Sequence, residues 1–256
     1  MPGPAAVGGV RSVRPDRAPA IDGADKAACP TTDQRGFKRP DVASTACDVG
    51  AYEFYTPPHW YENHTALEKQ SGGPGEEGAP TLIWGVIAFT APEIGEVNCQ
   101  TEWGGYVFNP EGAGGQARPG EINVAAYQAY NCTSTVCETT LHSMLTMGAE
   151  SLAWRGKLAE PQPGLVRLKV GNTTSESPTK IKLHIVCPKT TGGEYNKSAQ
   201  GELAPQVENG TAIGSAPSKL IFNSGELEVG TEKATVAGKV KMMGFEGGEI
   251  ITVKGP

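Results

Sequence analysis

From Lys180 to Cys187 the chain alternates strictly, with Ile181, Leu183, Ile185 and Cys187 set against Lys180, Lys182 and His184. A second run puts Val97, Cys99, Thr101 and Trp103 on one face and Glu96, Asn98, Gln100 and Glu102 on the other. A period of two belongs to a strand with one buried and one wet face, and no helix presents it. Leu82 to Thr90 is a dense β run, and Ile122, Val124, Ala126 and Tyr130 mark a strand ending near Cys132. Val166, Leu168 and Val170 oppose Arg167 and Lys169, and Thr139 to Ala149 also reads as strand. The tail offers Lys219 to Phe222, Leu227 with Val229, Val240 and Met242 against Lys239 and Lys241, then Ile250 to Val253. Ser198 to Ser218 reads as a polar loop. With 34 Gly and 20 Pro to supply turns, residues 81–256 are expected to be an antiparallel β-sandwich or barrel.

Charge and cysteines narrow the setting. A net charge of −6 and a pI near 5.3 argue against a nucleic-acid or anionic-membrane surface, which basic patches would serve. The longest apolar-rich stretch, Thr81 to Ala91, falls short of the roughly 18 residues a membrane helix needs, so no membrane insertion is expected. Six cysteines without a C-x-x-C pair favour disulfides over zinc. Met1 to Ala20 carries Arg11, Arg14 and Arg17 but no apolar core, so this stretch is no signal peptide. An extracellular or cell-surface location is still expected, with upstream sequence missing.

Chemistry-bearing residues are scattered. His59, His64, His142 and His184 show no metal-ligand spacing, and Ser143 lacks the glycine frame of a nucleophile elbow. Glu96, Glu102, Glu111 and Glu121 could supply two carboxylates to one cleft, but among 28 acidic residues some pair always looks plausible. Asp22, Asp25, Asp33 and Asp48 read as turn formers and ion-pair partners in preference to calcium ligands. Gly112 to Gly115 and Gly192-Gly193 open no helix and are followed by no Gly-Lys-Ser/Thr, so neither cradles phosphate. No cofactor, metal or catalytic residue is expected. Trp84, Trp103, Tyr106, Tyr127 and Tyr130 could stack on sugars, although aromatics in strands are more often core.

Ala18-Pro19-Ala20-Ile21-Asp22, Cys29-Pro30, Asp33-Gln34-Arg35-Gly36, Arg39-Pro40 and Ala46-Cys47-Asp48-Val49-Gly50-Ala51-Tyr52-Glu53 form the most specific run in the chain. It resembles the C-terminal capping segment of bacterial right-handed parallel β-helix proteins, the pectate-lyase-like solenoids of polymorphic outer-membrane and surface-anchored proteins. The resemblance implies a terminal rung and cap over 18–55; the aperiodic Gly, Pro and Arg-rich segment 1–17 before it is expected to be disordered, and the Pro/Gly-rich stretch 56–80 after it to be a linker. Phe37, Val49 and Phe54 would cover the exposed stack, Arg35 and Arg39 would pair with Asp33, Asp48 or Glu53, and Cys29 would bond Cys47. Residues 81–256 resemble, more loosely, a secreted bacterial β domain of unknown function. Alternation turns both Cys99 and Cys187 inward, so they are expected to pair, and Cys132 and Cys137, which enclose a short Ser/Thr loop, are expected to form a hairpin staple. Six buried thiols are the alternative.

These readings converge on a non-catalytic structural or adhesive module of an exported bacterial surface protein, with cell-wall or extracellular glycans as partners. The alternative is a carbohydrate-binding accessory module of a β-helix polysaccharide-degrading enzyme. In that case Trp103 or Tyr106 would carry the stacking. Oligomeric state is not legible.

Overall fold

The computed structural model describes residues 20, 23–34, 39, 46–51, 57–67, 69–70, 78–111, 118–140, 143–150, 152–162, 164–171, 181–212, 215–245 and 249–254. The chain falls into two compact units, 1–55 with 111–117, and 56–110 with 118–256.

In the first unit a 3-10 helix spans Lys26–Ala28, capped by the Asp25 carboxylate, which accepts from the Ala27 N–H at 3.0 Å. Cys29 and Cys47 are bonded, as expected. Around them Ala24 N–H donates to the Cys47 carbonyl at 3.0 Å and Val49 N–H to that of Ala20 at 2.7 Å. Arg39 is buried, and its guanidinium donates to the main-chain carbonyls of Gly50 and Asp48. A buried guanidinium needs several acceptors in fixed directions, and carbonyls of a tight turn supply them. Val49, expected to cover apolar stack, is 59% exposed. Asp22, Arg35, Phe37, Glu53 and Phe54 lie outside the described residues.

The second unit is built of strands. They are β1 (His59–Glu62), β2 (Thr65–Ala66), β3 (Lys69–Gln70), β4 (Ala79–Ala91), β5 (Gly95–Pro110) and β6 (Glu121–Ser134). Next come β7 (Thr139–Thr140), β8 (Ser143–Met144), β9 (Thr146–Ala149), β10 (Trp154–Gln162), β11 (Leu165–Val170) and β12 (Ile181–Pro188). The last are β13 (Glu194–Gly201), β14 (Gln206–Glu208), β15 (Ser218–Val229), β16 (Glu232–Gly244) and β17 (Ile251–Lys254).

Their pairing closes a ring. Around one end, β4, β5, β6, β10, β11, β14, β15 and β16 follow one another in antiparallel ladders, and β16 returns to β4. The ring follows chain order, which makes it an up-and-down barrel with two insertions, β7–β9 and β12–β13. At the other end β15 pairs with β13, β13 with β12 and β12 with β9. There β9 comes alongside β6 with no ladder between them among the described residues. The long strands β4, β5, β6, β15 and β16 thus serve two stacked rings, and the second has a seam. In the first ring, closure removes the sheet edges that would otherwise attract a further strand.

The interior is packed, not hollow. Ile83, Trp103, Leu158, Leu168, Ile185, Leu220 and Val240 are each at most 3% exposed. Trp103 sits at the centre, its ring 6.1 Å from Trp154, 6.0 Å from Tyr127 and 5.9 Å from Phe222. Wall thickness is set partly by glycine: Gly238 has φ +141°, and a Cβ there would lie 2.5 Å from the Val86 carbonyl oxygen. Only glycine lets β16 lie that close to β4.

Several expectations need correction. The supposed linker 56–80 carries β1, β2, β3 and the start of β4, with Trp60 wholly buried. Asn109 explains this: its side chain accepts from Trp60 N–H at 2.9 Å and donates to the Trp60 and Leu67 carbonyls at 3.0 and 3.1 Å. The polar stretch from Ser198 contributes to β13 and forms β14. Trp154–Gln162, unmarked in the sequence, is a strand. Cys99 bonds Cys132 and Cys137 bonds Cys187, so neither expected pair in this unit forms. Both Cys99 and Cys187 do point into the core, at 1% and 0% exposure. Inward facing names the layer, however, and not the neighbour. Cys132 lies within β6 and is opposite β5, while β12 is brought to the end of β6, where Cys137 stands.

Candidate functional site

Cross-strand neighbours in an antiparallel pair share a face, so the ladders can be read transversely. One row runs Glu208, Lys219, Lys241, Trp84, Glu102, Gln128. The next runs Gln206, Ile221, Lys239, Val86, Gln100, Tyr130. None of these residues is buried, which places both rows on the outer wall of the barrel.

At the centre of this face lies β4, whose outward residues Pro80, Leu82, Trp84, Val86 and Ala88 are apolar, with polar Thr90 only near its end. A strand apolar on both faces is the pattern of one covered on both sides. In the barrel the outer side is covered by no described strand, and Val86 remains 49% exposed. Beside this strip the β5–β6 flank is polar and ordered. Glu102 accepts from Gln128 Nε2 at 2.6 Å and from the Tyr130 hydroxyl at 2.7 Å. Asn131 Nδ2 donates to Gln100 Oε1 at 2.8 Å. Such a network holds amide and carboxylate groups in fixed positions at low further entropic cost.

The hydrogen bond from Tyr130, with that from Gln128, holds the Glu102 carboxyl below the usual carboxylate range. The same bond pushes the Tyr130 phenol above its ordinary value. A carboxyl depressed in the folded state stabilises fully above its unfolded pKa, about 4.3, and loses that contribution as pH falls through the folded value. The network is therefore intact at neutral pH. Tyr130→Phe is expected to move the Glu102 midpoint, followed by carboxyl carbon NMR, back up towards the ordinary glutamate value. A midpoint that stays put would mean Tyr130 does not hold the carboxylate.

The other expected residues fall elsewhere. Trp103 is core, and Tyr127 lies against Trp154 with ring centroids 5.2 Å apart, burial raising its phenol well above the ordinary value. Tyr106 is half-buried, opposite Pro80 and Asn123. Phe89, Trp103, Tyr127, Met147, Trp154 and Leu183 line a small apolar pocket, with room of about 20 Å³ left between them. Glu96 and Glu102 are six residues apart on β5, about 20 Å. Glu121 pairs opposite Phe108, as far again along β5 from Glu102, and is bridged to Arg118 at 3.3 Å. Glu111 belongs to the other compact unit. The three that share this unit lie too far apart for the 5–9.5 Å separation of glycosidase carboxylates.

His59 Nε2 lies 2.8 Å from the Arg118 carbonyl, His64 sits in the turn after β1, and His142 is outside the described residues. His184 Nδ1 lies 3.2 Å from Glu150, and the Ser198 hydroxyl donates to that same carboxylate at 2.6 Å. Because Ser198 gives its proton to Glu150 and not to the imidazole, this trio lacks the serine–base contact of a nucleophilic triad. Asp33 and Asp48 are buried and Asp25 is a helix cap, and among the described residues no cluster of three or more His, Cys, Asp or Glu could hold a metal ion. Nor is any helix among them long and apolar enough to cross a membrane.

Trp84 was visible in the sequence as one aromatic among five. What was missed is that Gln100, Gln128 and Asn131 stand beside it. Alternation put Gln100 outward, but only the ladder registers bring three strands into one row. Comparisons with protein-family models, curated proteins and solved structures found no match to this chain. The class defined by fold and face is a disulfide-bonded all-β protein whose closed, filled barrel carries an aromatic and amide-rich outer wall. Three disulfides point to an oxidising compartment.

Proposed function

We propose that this chain is a non-catalytic adhesive module of an exported bacterial cell-surface protein, and that it binds extracellular glycan on the outer face of β4, β5 and β6. The observation that carries this reading is Trp84 on an apolar strip beside the hydrogen-bonded Gln100, Glu102, Gln128, Tyr130 and Asn131. A sugar ring offers an apolar C–H face and a rim of hydroxyls. An aromatic surface covers the first while amide and carboxylate groups take the second. Residues 18–55 would cap a β-helix; the sequence resemblance and the Cys29–Cys47 bond support that assignment.

The test is binding of the purified chain to immobilised extracellular polysaccharides. Trp84→Ala is expected to weaken binding about 30-fold, the effect of losing an aromatic anchor worth about 2 kcal/mol. Trp84 is half-buried on the outer wall, so the fold should survive; circular dichroism would check this. Undiminished binding by a folded Trp84→Ala protein would remove the reading.

A further inference from the structure

The flank of Trp84 opposite Glu102 is basic. Lys241 is the cross-strand neighbour of Trp84, and Lys239 that of Val86, both on β16. Both lysines are exposed. Lys219, next in the row, is bonded to Glu208 at 2.9 Å, and the charge of Lys239 helps that bond to hold the carboxyl below its ordinary value; neither Lys239 nor Lys241 makes a direct ion pair among the described residues. On the other flank both Glu102 oxygens already accept hydrogen bonds from Gln128 and Tyr130. Across the strip, then, the face passes from two exposed cations without a direct ion pair, over an aromatic ring, to a set of engaged amide and carboxylate groups.

A neutral sugar would use only the ring and the amides, leaving both ammonium groups unmatched. We infer that the glycan taken on this face carries carboxylates, as a uronate-containing polysaccharide does. The inference rests on the glycan-binding reading above. With a uronate stacked on Trp84, its carboxylate can extend over β16, one strand spacing of about 4.8 Å away, and meet Lys241. Lys239 and Lys241 are two residues apart, about 7 Å along the strand. Two charges at that spacing suit successive acidic units of one chain better than an isolated anion.

A second copy of this protein could also cover the apolar strip. A two-fold axis parallel to β4 would set the lysines of each copy over Glu102 of the other. The glycan is favoured because the acidic flank is already internally bonded, and the test separates the two.

The whole chain is assayed on polygalacturonate, alginate and hyaluronate, on fully methyl-esterified polygalacturonate, and on dextran sulfate. The expected result is binding to at least one polyuronate about tenfold tighter than to the ester. The Lys239→Ala/Lys241→Ala double variant should fall to the level of the ester while keeping its affinity for the ester, and Trp84→Ala should lose both. Equal binding to acid and ester, or an unaffected lysine variant, overturns the acidic-ligand inference and leaves the glycan reading standing. Dextran sulfate bound as tightly as the polyuronates would show mere attraction to polyanions and also overturns the inference. No binding to any polysaccharide, or light scattering that shows a dimer dissociated by Trp84→Ala, overturns both.

Discussion

Replacing Trp154 with alanine is expected to destabilise the protein by about 4 kcal/mol, within the range for aromatic-to-alanine changes in a core. Trp154 is 1% exposed and touches both Trp103 and Tyr127, the centre of the filled barrel. Two costs add: transfer of the indole out of the core, and the cavity left among rings that cannot collapse inward. No hydrogen-bond partner is stranded, since the Trp154 Nε1 meets no acceptor among the described residues. For a unit of this size the midpoint of thermal unfolding should fall by roughly 10 °C. Trp154→Phe keeps most of the volume and discards the unsatisfied N–H, so its cost should stay below about 1.5 kcal/mol. A loss under about 1 kcal/mol for alanine would mean the aromatic cluster is not where the barrel is held.

The second large effect concerns Cys137–Cys187. The bond closes a loop of sequence separation 50, worth about 4 kcal/mol in the chain-entropy model. Its native role is as specific as its magnitude. It ties the end of β6 to β12 at the seam, where β9 lies beside β6 without a ladder among the described residues. Cys99–Cys132, by contrast, joins strands already paired along their length. The Cys137→Ala/Cys187→Ala variant should therefore lose hydrogen-exchange protection in β9 and β12 before the rest of the barrel unfolds. Cys99→Ala/Cys132→Ala should lose a similar free energy, about 3.7 kcal/mol from its separation of 33, without that local opening. Uniform loss of protection in both variants would show that the seam is no weaker than the ladders.

Most of the fold was legible wherever one strand face is wet. The runs containing Val97 to Trp103 and Ile181 to Cys187 became β5 and β12 with the expected faces inward. Trp154–Gln162 escaped because β10 mixes Trp154, Gly156 and Leu158 with Ala159 and Pro161, a weak alternation. It forms because β6 and β11 supply ladders on both sides. The segment 56–80 was misread for a related reason. Pro57-Pro58 and the glycines after Gln70 signal a break, but the partners that make β1 a strand, β17 and Asn109, lie far along the sequence.

By itself the sequence determined that the chain is β-rich and which residues of its clearest strands face the core, and it favoured disulfides over free thiols. Alternation is a local property of the backbone, and burial of one face enforces it. Only the tertiary structure decided the partners: Cys99 with Cys132, Cys137 with Cys187, and Trp84 with Lys241 on one side and Glu102 on the other. Those depend on the ladder registers, and on the two insertions that carry β9, β12 and β13 to the second ring. Strands distant in sequence meet only when the barrel closes, so no local pattern encodes which of them stand side by side.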